Sequence, residues 1–357
     1  WKSGVTGNWE IAANWQGDTA PTNGDNVSID SGSALLADPT VQLGTFTITN
    51  ATLVFTNWAT CLSATNVNIL NAGILTCTGP FTNTVMSNRI WIISTNLLLS
   101  SGGSINANYK GYCSGTGPGA GFNGVGGGTR GGGGGHGGKG GDGGFAPTLG
   151  GYPYDLPDAP TLAGSGGGTG NGAVGGSGGG SVRIEADTVS IHGTISANGQ
   201  ACPDQYAAAG AGGSVYISCR TLAGTNGTIR ANGGGGFTYN SNGNGGEGAG
   251  GRIAVIYDSS AQAALPLPTI QFRVAGGRTN ARNIGDLGTI YFPAATLVTE
   301  DTINYFSGQF PWLSAWTATN VALTNGWIRF PKDSCALTIV SNFTLGGATT
   351  RFDLGGD

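Results

Sequence analysis

His136, Lys139 and Asp142 stand three residues apart in the stretch GGGGGHGGKGGDGGF, from Gly131 to Phe145. An imidazole, an amine and a carboxylate are the parts from which a proton relay is built. The spacing argues against one. The glycines divide the stretch into triplets whose third members are Gly133, His136, Lys139, Asp142 and Phe145. That period matches polyproline II, with three residues per turn and a rise of about 3.1 Å per residue. Successive third positions are then about 9 Å apart, beyond direct hydrogen bonding. The expectation is a solvated polar edge, with two edges of bare backbone left to pack against other backbone.

The insertion GGYPYDLPDAP, from Gly150 to Pro160, offers a second set of groups. Tyr152, Tyr154, Asp155 and Asp158 are suited to stacking on and hydrogen-bonding a sugar, so a polysaccharide is one possible partner. The same residues also suit a cover over the glycine layer or a subunit contact, and that reading is favoured. Trp312 and Trp316 in FPWLSAW pose the same choice, and packing at the core or at the end of the stack is favoured for them.

Six cysteines, Cys61, Cys77, Cys113, Cys202, Cys219 and Cys335, show no C-x-x-C and no paired metal spacing. Oxidised pairs in an exported protein are expected, with Cys61 and Cys77 the first choice because their separation approximates one short repeat. Cys113 and Cys202 occupy similar places after a repeated Ala-Asn turn, and Cys219 competes as a partner for either. Sequons begin at Asn26, Asn50, Asn226 and Asn342, compatible with export and glycosylation. The chain opens at Trp1 without a signal peptide, which suggests a processed form or a fragment.

Composition narrows the classes further. The 357 residues include 70 glycines, and 10% are charged, with a net charge of -4. Singly scattered Lys and Arg give no nucleic-acid footprint and no patch for an anionic membrane. Apolar runs such as IWII at Ile90 are too short to span a bilayer. Fragments of G-x-G-x-x-G abound, yet the glycine tracts run into strands rather than helices, so a phosphate loop is rejected. Gly-Gly-X without abundant Pro also excludes collagen.

The elements that must carry these residues are strands, since sustained helical periodicity is missing while short alternating runs such as TFTITNATLVFT at Thr45 recur. GSINANYKG at Gly103 returns as GTISANGQA at Gly193 and GTIRANGGG at Gly227, with a weaker echo, IQFRVAGGR, at Ile270. A second phrase, GGSVRIEA, returns as GGSVYISC, GGRIAVIY and LGTIYF. Val182, Val215, Ile253 and Ile290 are equivalent, at steps of 33, 38 and 37 residues. The column formed by these residues, with Ile184, Ile217 and Val255, is expected to point inward. Asn108, Asn198 and Asn232 fall in register at a turn and should form a ladder that ends where Val274 and Ala275 replace the motif. Glu185 aligns with Ser218 and Ile256, so no carboxylate stack suited to polysaccharide cleavage forms there. Asp187, Arg220 and Asp258 align as an alternating charge ladder.

The fold read from these repeats is all-β, a parallel β-solenoid (β-helix) with glycine-rich polyproline II segments at 114–145, 164–180 and 232–251 packed as an inserted layer. Residues 1–103 are N-terminal rungs, 104–292 the glycine-rich repeat region and 293–357 C-terminal rungs, the last incomplete. SATNVNILNAG at Ser63 resembles TATNVALTNGW at Thr317, and STNLLLSSGGSINA at Ser94 resembles VSNFTLGGATTRFD at Val340.

The opening GNWEIAANWQGDTAPTNGDNVSID and the phrases GGSGGGSVRIEA, GTISANG and GGEGAGGRIAVIY resemble the glycine-rich parallel β-helix repeats of large bacterial secreted, autotransporter-like surface proteins. That resemblance covers most of the chain. It implies architecture and an extracellular or cell-surface location, in a family of adhesins, scaffolds and polysaccharide-active enzymes. No catalytic, cofactor-binding or metal-binding residue is assigned. The functional expectation is a non-enzymatic extracellular structural protein, a filament-forming subunit or a surface adhesin segment that associates end to end. A carbohydrate-active β-helix enzyme and a glycan-binding module using the Tyr152 loop are the alternatives.

Overall fold

A computed structural model of the chain describes residues 1–144, 148–237, 244–279, 283–324, 326–331 and 335–355. It is nearly all β, with a long parallel sheet, one short α-helix (Ser259–Ala263) and three short 3-10 turns among the described residues. Strand pairing runs in two rows. One row ascends through Val27–Ile29, Leu43–Ile48, Leu62–Ile69, Ile90–Leu99, Ser181–Ile191, Ser214–Ser218, Arg252–Ile256 and Thr289–Tyr291. The other ascends through Thr6–Asn8, Ser33–Leu36, Thr52–Phe55, Ile74–Cys77, Ser104–Asn106, Thr194–Ser196, Thr225–Arg230 and Thr269–Arg273. Phe306–Gln309 pairs with both rows, and Trp327–Phe330 and Arg351–Leu354 follow it.

Parallel pairing in register places equivalent residues on top of one another, so alternation within each strand becomes a buried column and an outer column. Val182, Val215, Ile253 and Ile290 pair in sequence, as the repeat alignment requires, and all are fully buried. In the second row the buried column is Leu53, Leu75, Ile105, Ile195, Ile229, Phe272 and Phe306. Each such side chain contributes about 1.5–3 kcal/mol by leaving water. Towards the C-terminus aromatics replace aliphatics. Phe272 stacks on Phe306 at 5.4 Å, and Phe310 on Phe330 at 5.7 Å. Trp316 stacks on Phe330 at 6.0 Å and Trp312 packs edge-on to Phe292, so both tryptophans of FPWLSAW pack against the core.

The N-terminal end of the core is closed by Trp1, Trp9 and Trp15, all buried, with Trp15 edge-on to the other two at 4.9 and 4.7 Å. At the other end, Ala336–Gly346 pairs, among the described residues, with Ala315–Thr324 alone and leaves Val340, Phe343 and Leu345 exposed.

The expected disulfides do not form: all six cysteines are described and none is bonded to another. One turn takes the chain from Phe55 to Cys77, longer than the 16 residues from Cys61 to Cys77. The shorter step puts Cys61 beside the first row, where its carbonyl accepts from the Thr40 amide, and Cys77 in the second row. Cys113 and Cys202 also separate, since the Cys113 amide bonds Phe81 and the Cys202 amide bonds Gly235. Cys219 lies against the main core at the end of Ser214–Ser218. Burial pushes the Cys77, Cys202 and Cys219 thiols up to about 12.

Candidate functional site

The glycine tracts leave the second row and return to the first, and their described residues are mostly neither helix nor strand. Their amides are satisfied by one another. Gly134 donates to Ala209, Ala209 to Gly246 and Gly246 to Gly131. Gly248 donates to Gly234, Gly234 to Gly210 and Gly210 to Gln200. Backbones approach so closely that a Cβ on Gly141 would lie 1.9 Å from the Asn283 carbonyl oxygen, and one on Gly138 would lie 2.3 Å from that of Leu287. Any side chain at these positions displaces a neighbouring segment. Phe145 and residues 238–243 of the tracts lie outside the described residues.

The third positions do not all face water. Lys139 and Asp142 do, with half-exposed side chains, but Lys139 Nζ reaches Asp142 Oδ1 at 2.9 Å because the long amine stem spans the triplet step. His136 is fully buried. Its Nδ1 lies 2.8 Å from the Gly212 carbonyl, its ring packs 4.7 Å from Tyr154, and its Nε2 faces Asp155 Oδ2 at 3.7 Å. The solvated-edge reading therefore fails at His136, because the Gly150–Pro160 insertion folds over that edge.

The insertion is held by its own polar residues. Tyr154 Oη donates to the Ala163 carbonyl at 2.5 Å and accepts from Ser165 Oγ at 2.9 Å. Asp155, at φ +68°, accepts from the amides of Leu156, Thr161 and Leu162. Arg252 reaches across from its strand to the Tyr154 carbonyl through Nε at 2.8 Å and Nη2 at 2.7 Å, and to Thr289 Oγ1 at 2.8 Å. Burial lowers the His136 pKa, although the facing Asp155 carboxylate opposes the shift. For Asp155 burial works the other way, yet the contacts with His136 and Leu162 prevail and hold the carboxyl below its usual range. Tyr154 and Asp155 are thus occupied within the protein, while Tyr152 and Asp158 are exposed.

Sequence reasoning missed Arg252, although its signal was present. It stands where the equivalent phrases have Ser181 and Ser214, a lone cation in a column of hydroxyls. Those two serines bond the segment that directly follows the insertion, through the carbonyls of Thr161 and Leu162.

The asparagine ladder forms by a different bond than side chain to side chain. Asn108 Oδ1 accepts from the Asn198 amide at 2.7 Å, Asn198 Oδ1 from Asn232 at 2.9 Å, and Asn232 Oδ1 from Ala275 at 2.9 Å. It stops at Ala275, which has no side-chain acceptor. The similar flanking phrases also carry equivalent pairs, Asn96 Nδ2 on Asn66 Oδ1 and Asn342 Nδ2 on Asn320 Oδ1, both at 2.9 Å. Asp187, Arg220 and Asp258 follow one another through backbone bonds, but the Asp258 carboxylate caps the short helix at Ser260 and Ala261. The sequon residues Asn26, Asn50, Asn226 and Asn342 are all exposed.

Among the described residues no group of three or more His, Cys, Asp or Glu side chains is arranged to hold a metal ion. The sequence model of one family, the G8 domain, matches residues 14–95, which hold the strands from Val27–Ile29 through Ile74–Cys77 and the start of Ile90–Leu99. The G8 domain is of an extracellular type. No helix among the described residues is long and apolar enough to cross a membrane. No curated protein and no solved structure matches the chain.

Proposed function

We propose that this chain is a non-enzymatic extracellular structural protein: a parallel β-solenoid flanked by a layer of polyproline II segments, akin to the glycine-rich β-helix repeats of secreted surface proteins. It serves as a filament subunit or as a segment of a surface adhesin, and it associates end to end through its C-terminal edge. The observation carrying this reading is the contrast between the two ends. Trp1, Trp9 and Trp15 pack together at one, while the other presents Val340, 69% exposed, and Leu345, 47% exposed, on a strand with one neighbour among the described residues. Such an edge offers unpaired backbone groups and apolar side chains to a further parallel strand. The mutual hydrogen bonding of the glycine tracts supports a rigid body rather than a flexible linker. The exposed sequon asparagines and the G8 match support an extracellular setting.

Electron microscopy and sedimentation of native full-length material test the association. End-joined particles are expected at high concentration, and a Val340→Lys/Leu345→Lys variant should disperse them. Dispersed monomers across a broad concentration range would remove the filament role and leave the adhesin segment.

A further inference from the structure

One outward row of the second strand row reads Asn106, Ser196, Arg230, Arg273, Ser307. Two guanidiniums therefore stand on adjacent strands, about 4.8 Å apart in backbone spacing, between small hydroxyl residues. Like charges directly opposite on neighbouring strands are unfavourable unless something compensates them.

No ion pair among the described residues does, although Asp353 and Glu247 act on Arg278 from beyond contact distance. Arg230 Nε is buried without a hydrogen-bond partner, and no carboxylate lies within ion-pair distance of Arg230, Arg273 or Arg278. Among the described residues, the one protein acceptor that their guanidiniums reach is Gln271 Oε1, 3.1 Å from Arg273 Nε. The nearby acids are committed elsewhere. Asp286 pairs with Arg329 at 2.9 Å, and Asp353 takes Arg329 and Arg351 at 3.6 Å each and Trp327 Nε1 at 2.5 Å. Glu247 is buried and turned to the Gly236 amide.

Arg273 and Arg278 line a cavity of about 260 Å³ together with Ser307, Trp327 and Thr349. The Trp327 ring forms one wall, with Arg278 at 4.6 Å and Arg351 at 4.4 Å from its centroid. A site of this kind combines charge-assisted donors with hydroxyl donors and an apolar wall. Guanidinium forks match oxyanions, and the excess of unpaired cations calls for a dianion rather than a single carboxylate.

We propose that this cavity binds a tetrahedral oxyanion, sulfate or phosphate, free or as an ester on a polymer. Arg273 and Arg278 are its principal ligands, Arg230 adds charge from the strand behind, and Ser307 and Thr349 supply hydroxyl donors.

Calorimetric titration of the purified chain with sodium sulfate and sodium phosphate, against sodium chloride at matched ionic strength, tests the site. Saturable binding of the dianions is expected. It should weaken about tenfold or more in Arg273→Ala and in Arg278→Ala, the loss of one charge-assisted bond. Arg278→Ala lies outside the strands and keeps the test open if Arg273→Ala misfolds, and the remote, exposed Arg220→Ala should bind like the parent. A sulfated oligosaccharide and its desulfated counterpart separate the sources. Tighter binding of the sulfated form than of sulfate assigns an ester on a polymer, and equal binding assigns the free ion. Equal response to sulfate, phosphate and chloride, or full binding retained in both arginine variants, overturns the proposal.

Discussion

At the residue scale, the His136–Asp155 contact shows how a side chain acquires a role that its neighbours in sequence do not announce. The triplet period put His136 on a solvated edge, and nothing within the tract says that an insertion beginning at Gly150 will cover it. The burial has a pH consequence. In the folded chain the His136 pKa is depressed, so as pH falls below the ordinary histidine value of about 6.5 the unfolded chain takes up the proton first and stability declines. The Asp155 pKa is also depressed. Its contribution is present above the ordinary value of about 3.9 and disappears as pH falls through the lower folded value. Melting temperature should therefore be level above about pH 7 and decline in two stages on acidification, and His136→Gln should flatten the upper stage. The cysteines yield a second prediction at this scale. Denatured, unreduced protein should take up iodoacetamide at all six thiols, whereas in the native state Cys77 and Cys202 should react slowly because they are buried with thiols near pKa 12.

At the element scale, the repeat phrases were enough to align strands residue by residue, since a parallel in-register ladder stacks like on like. Val182 on Val215 on Ile253 on Ile290 is that alignment in three dimensions. The Asn108 ladder and its end at Ala275 were legible for the same reason. The partners of each glycine tract were not, because Gly-Gly-X carries no side chain to distinguish one neighbour from another. The tracts nevertheless have a measurable signature. Gly138→Val should cost about 2 kcal/mol or more, since the added atoms meet the Leu287 backbone rather than a side chain that can move. Lys139→Ala, which loses a half-exposed ion pair with Asp142, should cost about 0.5 kcal/mol. Chemical denaturation of the two variants checks the contrast.

At the scale of the whole molecule, stability depends on how the ends of the core are packed, and so does the end-to-end association proposed above. Trp15 is edge-on to Trp1 and Trp9 and bonds the Trp9 carbonyl through Nε1 at 2.7 Å. Trp15→Ala should lose about 3–5 kcal/mol and, by loosening the N-terminal closure, raise self-association measured by light scattering. By itself the sequence determined the parallel stacking of strands, the inward columns and the turn asparagines, because each depends on short patterns repeated at nearly constant steps. Only the tertiary structure decided which cysteines lie apart, that Trp1, Trp9 and Trp15 pack together, that the Tyr154 loop is clamped by Arg252 and His136, and that Arg230, Arg273 and Arg278 share a region without an ion-pair partner among the described residues. Those facts depend on turns of unequal length and on insertions of tens of residues, which set the distance between side chains in ways that no local period records.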